Sequence, residues 1–473
     1  MASPNVSFDS IPSSIRKPGK YFEFNTKLAV RTLPGNLQKV LAIGQRLASG
    51  TQPALVPVDV FSDEQAAQLF GRGSAAHLMA HAAITANPYL QLTVIAVDDA
   101  TAGIAASGTV TLTGPATGAG IVSLYVGAAR VDVAASSGDT AAELATALKT
   151  ALAAKADLPL TATVAAGVVT LTARNKGSFG NGIVVSSAVS APGVTATVAA
   201  MSGGAIDPDL ADALAAVVGG GHHILVSPFA DGTSLTAIRA HLEFVSGPME
   251  QRGAIGVFGW PGTLATGTTL AGQINSGRIT GAWHRGSVRL PAEIAAGYAA
   301  VLAFEEDPAR PLNTLEIKGL DVTGIHQWPS RTEQENALYN GLTPLEIGPG
   351  DRVQIVRAIS TYTRDPQGVD DVALLDITTI RTLDYVRKAC RERISLRFPR
   401  EKLSERTPDK VRSELLDVLY KLEELEIVEA VDANKAGLIV ERDSQDVNRL
   451  DAKIPVDVVN GLHVFAGRID LLL

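Results

Sequence analysis

The feature that most constrains the fold is an interruption. Between residues 26 and 99 strands and helices alternate. "QKVLAIGQ" reads as a buried strand, "DEQAAQLFGRGSAAHLMAHAAITAN" as helix, loop and helix, and "LQLTVIAVDD" as a second buried strand. Unbroken apolar strands between helices indicate an α/β unit, because a parallel sheet is covered on both faces. Residues 101–200 break that pattern and hold only nine charged side chains, in a chain that is 19% charged overall. There "GTVTLTG", "VSLYVG", "ARVDVAA", "LTATVAAG" and "VVTLTARN" alternate with period two between glycines, as half-buried strands do. One helix, "DTAAELATALKTALAAK", interrupts them and aligns Leu144, Leu148 and Leu152 on one stripe. The α/β pattern resumes with a helix at "DPDLADALAAVV", a strand at "HHILVSPF", a helix at "SLTAIRAHLEFV" and a strand at "GAIGVFGW". The expected fold is an α/β core, residues 26–99 and 206–370, with an inserted β-rich outer domain at 100–205.

Both ends differ from this core. Residues 1–25 contain Pro4, Pro12, Pro18 and Gly19 and little apolar periodicity, which reads as an extended arm. Residues 371–455 read as an α+β C-terminal domain with long charged helices. In "TPDKVRSELLDVLYKLEELEIV", Thr407 is the expected N-cap and Pro408 the first helical residue, with Val411, Leu415, Val418, Leu422 and Leu425 as the apolar stripe. From Arg381 to Lys402 there are eight Lys/Arg against three Asp/Glu; from Glu414 to Asp432 there are seven acids against one lysine. Residues 456–473 then close on "GLHVFAGRIDLLL", which alternates like a strand. It sets His463, Phe465, Ile469, Leu471 and Leu473 on one face and Leu462, Val464, Ala466 and Leu472 on the other. A bare apolar strand invites pairing, so this one either tucks into its own sheet or joins another chain.

A length of 473 residues predicts two to four domains. The net charge of −8 argues against nucleic acid and anionic membranes as partners. The single cysteine, Cys390, rules out an internal disulfide and multi-cysteine metal sites, and suits a reducing compartment. The first residues have no apolar secretory core, and the longest apolar run, "IAAGYAAVLAF", is far short of a bilayer span of about 20 residues. The expectation is an intracellular chain.

No catalytic constellation survives scrutiny. "DGTSLTA" echoes the context of a subtilisin-type nucleophile at Ser234, but a triad needs a base in reach. There is no His-Gly pair, and His222 and His223 lie on the strand feeding the same loop. The competing reading makes Thr233 or Ser234 a helix cap; a hydrolase would need His241 or His284 as its base. His77 and His81 of "HLMAH" are one turn apart but lack a third zinc ligand. "FGRGSAAH" lacks the lysine of a phosphate loop, so a turn with a Ser74 cap is expected. "FEEDP" (Glu305, Glu306, Asp307) reads as a solvated helix end. No catalytic, cofactor or metal site is assigned. A glycan-binding role for the insertion has only Tyr125 and Phe179 to support it.

Several long stretches carry a specific resemblance. They include "IPSSIRKPGKYFEFNTKLAVRTLPGN", "FGRGS", "GWPGTLATGTTLAGQINSGRITGAWHRG", "LAFEEDPARPLNTLEIKG", "RTEQENALYNGLTPLEIGPGDRVQIVRAI", "VALLDITTIRTLDYVRKACRERISLRFPREKL" and "DAKIPVDVVNGLHVFAGRIDLLL". Together they resemble the contractile tail sheath proteins of Mu-like bacteriophages over nearly the whole length. The resemblance implies a non-enzymatic subunit of stacked six-membered rings, assembled in the host cytoplasm around a tail tube. On contraction such a stack drives the tube through the host envelope. Its implied partners are further copies of the chain, the tail tube protein, and baseplate and tail terminator proteins, with no nucleic acid, membrane contact or cofactor. It also implies a subtilisin-like core without a triad, an outer inserted module and an inner, tube-facing C-terminal domain. In this family the arms pair as strands with neighbouring subunits. That marks Ile15, Pro18, Tyr21 and Phe22 in the N-terminal arm, and Leu462, Val464, Phe465, Ile469, Leu471, Leu472 and Leu473 in the C-terminal strand. Arg387, Lys388, Arg391 and Arg393 become candidate charges facing the tube or a neighbouring subunit, with an ion-pair face inside the domain as the alternative.

Overall fold

A computed structural model describes residues 16–22 and 33–472. Its described residues divide into two compact units, 36–385 with 458–472, and 16–22 and 33–35 with 386–457. The division falls between Tyr385 and Val386, inside one long helix.

The larger unit is organised by an eight-stranded sheet. Its strands are β1 (Lys39–Gln45), β2 (Val58–Val60), β3 (Gln91–Val97), and later in the chain β11 (Ile224–Val226), β12 (Ile255–Trp260), β13 (Ile279–Trp283), β14 (Thr343–Gly348) and β15 (Arg352–Ile355). The spatial order is β15-β14-β13-β12-β11-β1-β3-β2, parallel from β14 to β3 with an antiparallel strand at each edge. The central strands are apolar throughout because both faces are covered: β1 buries Val40, Leu41, Ala42 and Ile43 completely. Covering one face are α2 (Ala75–Ala86) and α7 (Pro291–Phe304), which follow α1 (Asp63–Phe70) and α6 (Leu264–Ile274) in the chain; α5 (Gly232–Ser246) covers the other. The two glycines of β12, three residues apart and so on opposite faces, report this arrangement. A Cβ on Gly256 would meet Leu242 of α5 at 2.9 Å, and one on Gly259 would meet the Pro291 carbonyl of α7 at 2.2 Å. The helix cannot give way, since α7 is buried almost all round its circumference. Gly259→Ala is therefore expected to destabilise the larger unit by about 3 kcal/mol or more, read as a lower urea midpoint at unchanged slope.

The β-rich segment contributes nothing to that sheet. Its strands β4 (Ser107–Thr113), β5 (Gly120–Val126), β6 (Ala129–Ala135), β7 (Leu160–Ala165), β8 (Val168–Ala173), β9 (Val185–Val189) and β10 (Thr195–Ser202) form two sheets, β10-β4-β8-β7 and β6-β5-β9. Against them packs α3 (Ala141–Ala153), burying Leu144, Leu148 and Leu152 as the sequence stripe predicts. The segment leaves after β3 and returns before α4 (Ala211–Val217), and an Ile104–Ala205 bridge closes its stem. It is bolted at the carboxyl ends of β1 and β3. Asp99 accepts hydrogen bonds from the Gln45 amide (2.7 Å), the Asn175 amide (3.0 Å) and the Lys176 backbone N–H (3.0 Å). Asn175 is buried and accepts in turn from the Ala75 N–H of α2 at 3.0 Å. Strand order reverses at β1, where open α/β sheets usually bind ligands. Here the inserted segment lies across it.

In the smaller unit, α9 (Ile377–Arg397) continues beyond Val386, after α8 (Arg331–Tyr339) of the larger unit, and α10 spans Thr407–Glu424. Val411, Leu415, Val418 and Leu422 of α10 are buried, but Leu425 ends the helix exposed. Thr407 is the first helical residue and not the cap, which is Arg406, and its hydroxyl donates to the Lys402 carbonyl at 2.7 Å. After a short strand β16 (Val428–Glu429) comes a hairpin, β17 (Ile439–Arg442) with β18 (Leu450–Lys453).

Candidate assembly surface

The suspected nucleophile is a helix-start residue. Asp231, and not Thr233 or Ser234, caps α5, accepting the Ser234 N–H at 2.9 Å, while the Ser234 side chain is buried in the first turn. An aspartate outcompetes a hydroxyl here because its carboxylate also meets the positive end of the helix dipole. His241 lies seven residues along the same helix, about 10 Å away, so it cannot serve that hydroxyl. The His284 ring is occupied by the Asp321 carbonyl at 2.7 Å. No triad exists among the described residues.

His77 and His81 converge on one oxygen of Asp63 at 3.2 and 3.0 Å, beside a cavity of about 310 Å³ between α1, α2, α7 and the inserted segment. The Nδ1 of His77 accepts the Gly73 N–H at 3.0 Å, which leaves the proton on Nε2 and no lone pair there for a metal. Among the described residues no three His, Cys, Asp or Glu side chains are placed to hold one. Ser74 caps α2 as expected. In "FEEDP", Glu305 offers its carbonyl to Arg381 at 2.6 Å, and Asp307 accepts from the Ala309 N–H.

Burial holds His77, His222, His241, His284 and His463 below the ordinary 6.5. Each is neutral in the folded chain and takes up a proton more readily when unfolded, so its contribution is fully present above about pH 6.5. That contribution is lost as pH falls from there toward each depressed folded value. The urea midpoint is expected to drop on acidification from pH 7.5 toward 5, and a flat or rising midpoint would contradict these burials.

The charges called for the tube or neighbours do not act as one set. Arg393 is 3% exposed and lies on Glu414 (3.1 Å) and Asp417 (2.5 Å) of α10, with Arg397 3.4 Å from Glu414. The alternating charge blocks of α9 and α10 therefore meet inside one unit at this point, which removes Arg393 from any outer surface. Lys388 donates to the Gly35 carbonyl at 2.7 Å. Cys390 is buried and its thiol is pushed up to about 11, so it is inert.

The apolar segment that reads as a strand is unpaired in the single chain: residues 459–472 form no strand. Leu462, Val464, Phe465, Ile469, Leu471 and Leu472 are exposed, from 79% at Val464 to 98% at Ile469. In the N-terminal arm Pro18 is exposed, as are Tyr21 and, almost completely, Phe22. Ile15 and Leu473 lie outside the described residues. Sequence reasoning missed the hold on this segment's root. Asn313 donates to the His463 ring at 3.0 Å, and Asp376, gripped by Arg357 at 2.8 and 2.7 Å, lies 3.5 Å from its other nitrogen.

The described surface is thus marked by a row of exposed apolar side chains on an extended segment. Residues 203–361 match the phage tail sheath protein central domain, and residues 369–471 the phage tail sheath C-terminal domain. The chain is 36% identical to the Mu-like prophage FluMu tail sheath protein of Haemophilus influenzae, across 99% of its own length and 100% of that protein's. It belongs to the phage tail sheath family, whose members are structural proteins and not enzymes. The fold extends further. A sheath tail protein from Desulfitobacterium hafniense superimposes with a TM-score of 0.52 at 13% identity, covering 94% of this chain and 97% of that one. The sheath complex of an extracellular contractile injection system, in its contracted state, gives 0.51 at 10% identity over 97% and 98%.

Proposed function

We propose that the protein builds the contractile sheath of a phage tail. Copies form stacked six-membered rings around a tail tube in the host cytoplasm, and contraction of the stack drives the tube through the host envelope for genome ejection. The observation that carries this is the exposed, largely apolar run Val464–Leu472, which has no partner strand among the described residues of its own chain. Such a segment buries its apolar side chains and pairs its backbone when it adds to an open strand edge. The β17–β18 hairpin offers one, because among the described residues each of its strands pairs only with the other. About five ladder bonds at a net ~0.5–1.5 kcal/mol each contribute roughly 3–7 kcal/mol per joint, and closed rings multiply weak joints through avidity. The N-terminal arm at Pro18, Tyr21 and Phe22 is the second linking element.

Within this reading residues 100–205 face outward, where they leave the central sheet uninterrupted. Residues 371–455 face the tube, with Arg387, Lys388 and Arg391 as the basic groups nearest that contact. Tube, baseplate and terminator proteins are the remaining partners. Negative-stain microscopy of the purified protein tests the reading: hollow striated tubes are expected, and persistent monomers at high concentration would overturn it.

A further inference from the structure

We propose that His463 is the fulcrum of the linking segment, the residue at which the chain passes from its own subunit to its neighbour. The proposal rests on the reading that Val464–Leu472 is donated to another copy. Two observations locate the fulcrum. His463 is the one side chain of this stretch turned inward: it is 15% exposed, between Leu462 at 80% and Val464 at 79%. The chain before it is also seated. A Cβ on Gly461 would lie 2.7 Å from the Pro311 ring and 2.8 Å from the His463 imidazole, so the backbone there is pressed between the two.

The imidazole is held by one hydrogen bond and faces a carboxylate on its other side. Its Nδ1 accepts from the Asn313 amide at 3.0 Å, which puts the proton on Nε2 and directs it at Asp376, 3.5 Å away. Neither partner is free to follow the arm. Asp376 is fixed by the two-pronged grip of Arg357. Asn313 sits on a loop whose next residue, Thr314, donates its N–H to Ile355 of edge strand β15 at 2.8 Å. A segment pinned at its root has fewer conformations to lose when it docks and stays closer to its target, which raises the effective concentration of each joint. His463 acts here as a positioning residue, and it need not touch the neighbouring subunit.

The test uses the full chain at concentrations where it is monomeric. Cys390 is buried, so a nitroxide can be placed selectively on a cysteine introduced at Asn460 or at Ile469. With His463 present, the label at 460 is expected to be immobilised and the label at 469 to tumble freely. His463→Ala, and separately Asn313→Ala, should release the label at 460 to the mobility seen at 469 without changing the melting temperature appreciably. Both should raise the concentration needed for tube formation several-fold while still permitting tubes. A label at 460 already as mobile as that at 469, or unmoved by both substitutions, overturns the fulcrum. If that happens while a chain ending at His463 forms no tubes, only the fulcrum falls. If a chain ending at His463 does form tubes, the donation reading falls and the fulcrum with it.

Discussion

Deletion of Leu462 to Leu473 is expected to leave a folded, monomeric protein that forms no tubes at any accessible concentration. Folding is spared because Leu462 and residues 464–472 make no strand and bury almost nothing in their own chain. The core that holds the larger unit together, including Val40 to Ile43, Trp283, Tyr298 and Phe258, is buried without them. What the deletion does remove from the chain's own fold is the His463 contact with Asn313, an exchange at the surface worth about 1 kcal/mol. Assembly loses a joint of roughly 3–7 kcal/mol in every subunit. Closure of a ring repeats that loss at each contact, so the combined effect exceeds what concentration can restore. Sedimentation velocity reads the outcome directly. A truncated chain still sedimenting as large particles would show that the segment is dispensable for association.

The second large effect is internal. Arg393→Ala is expected to destabilise the smaller unit by about 3 kcal/mol, because it removes the buried cation that the carboxylates of Glu414 and Asp417 share. Arg397 reaches Glu414, and Lys421 reaches Asp417 at 3.4 Å, but both are longer contacts on the outer side of the pair. The loss should be local. Hydrogen exchange would speed up in α10 while the amides of β1 and β12 keep their protection. Arg393→Met combined with Glu414→Gln and Asp417→Asn should recover much of the loss, since it removes the charges together and not singly. Equal destabilisation by the single and triple variants would show that packing, not charge, is the cause.

The elements that local rules specify were legible, and those that depend on distant partners were not. Leu144, Leu148 and Leu152 recur at helical spacing, and Ser74 precedes a helix after a glycine turn, so each is decided by residues within one or two turns. β2 is not legible, because three residues, Val58–Val60, inside a proline-bearing stretch carry no period to read. The cap of α5 is Asp231 and not a hydroxyl, because Thr233 and Ser234 lie inside the first turn, and "DGTS" offers three capping residue types within four positions. The charge blocks were visible, but sequence could not say whether their partner was internal, and for Arg393 it is. The root of the linking segment was invisible for the same reason, since Asn313, Arg357, Asp376 and His463 meet only through the fold. The segment itself was legible as a strand pattern, yet it forms no strand alone, because a ladder needs a second edge.

The most direct test of the account is an electron cryo-microscopy map of the assembled protein in which residues 464–472 can be traced. The account predicts that they lie as a strand hydrogen-bonded to the sheet of a different copy, with His463 still held by Asn313 of its own. Tracing them back onto the sheet of their own subunit, or into solvent beside an intact lattice, would contradict it.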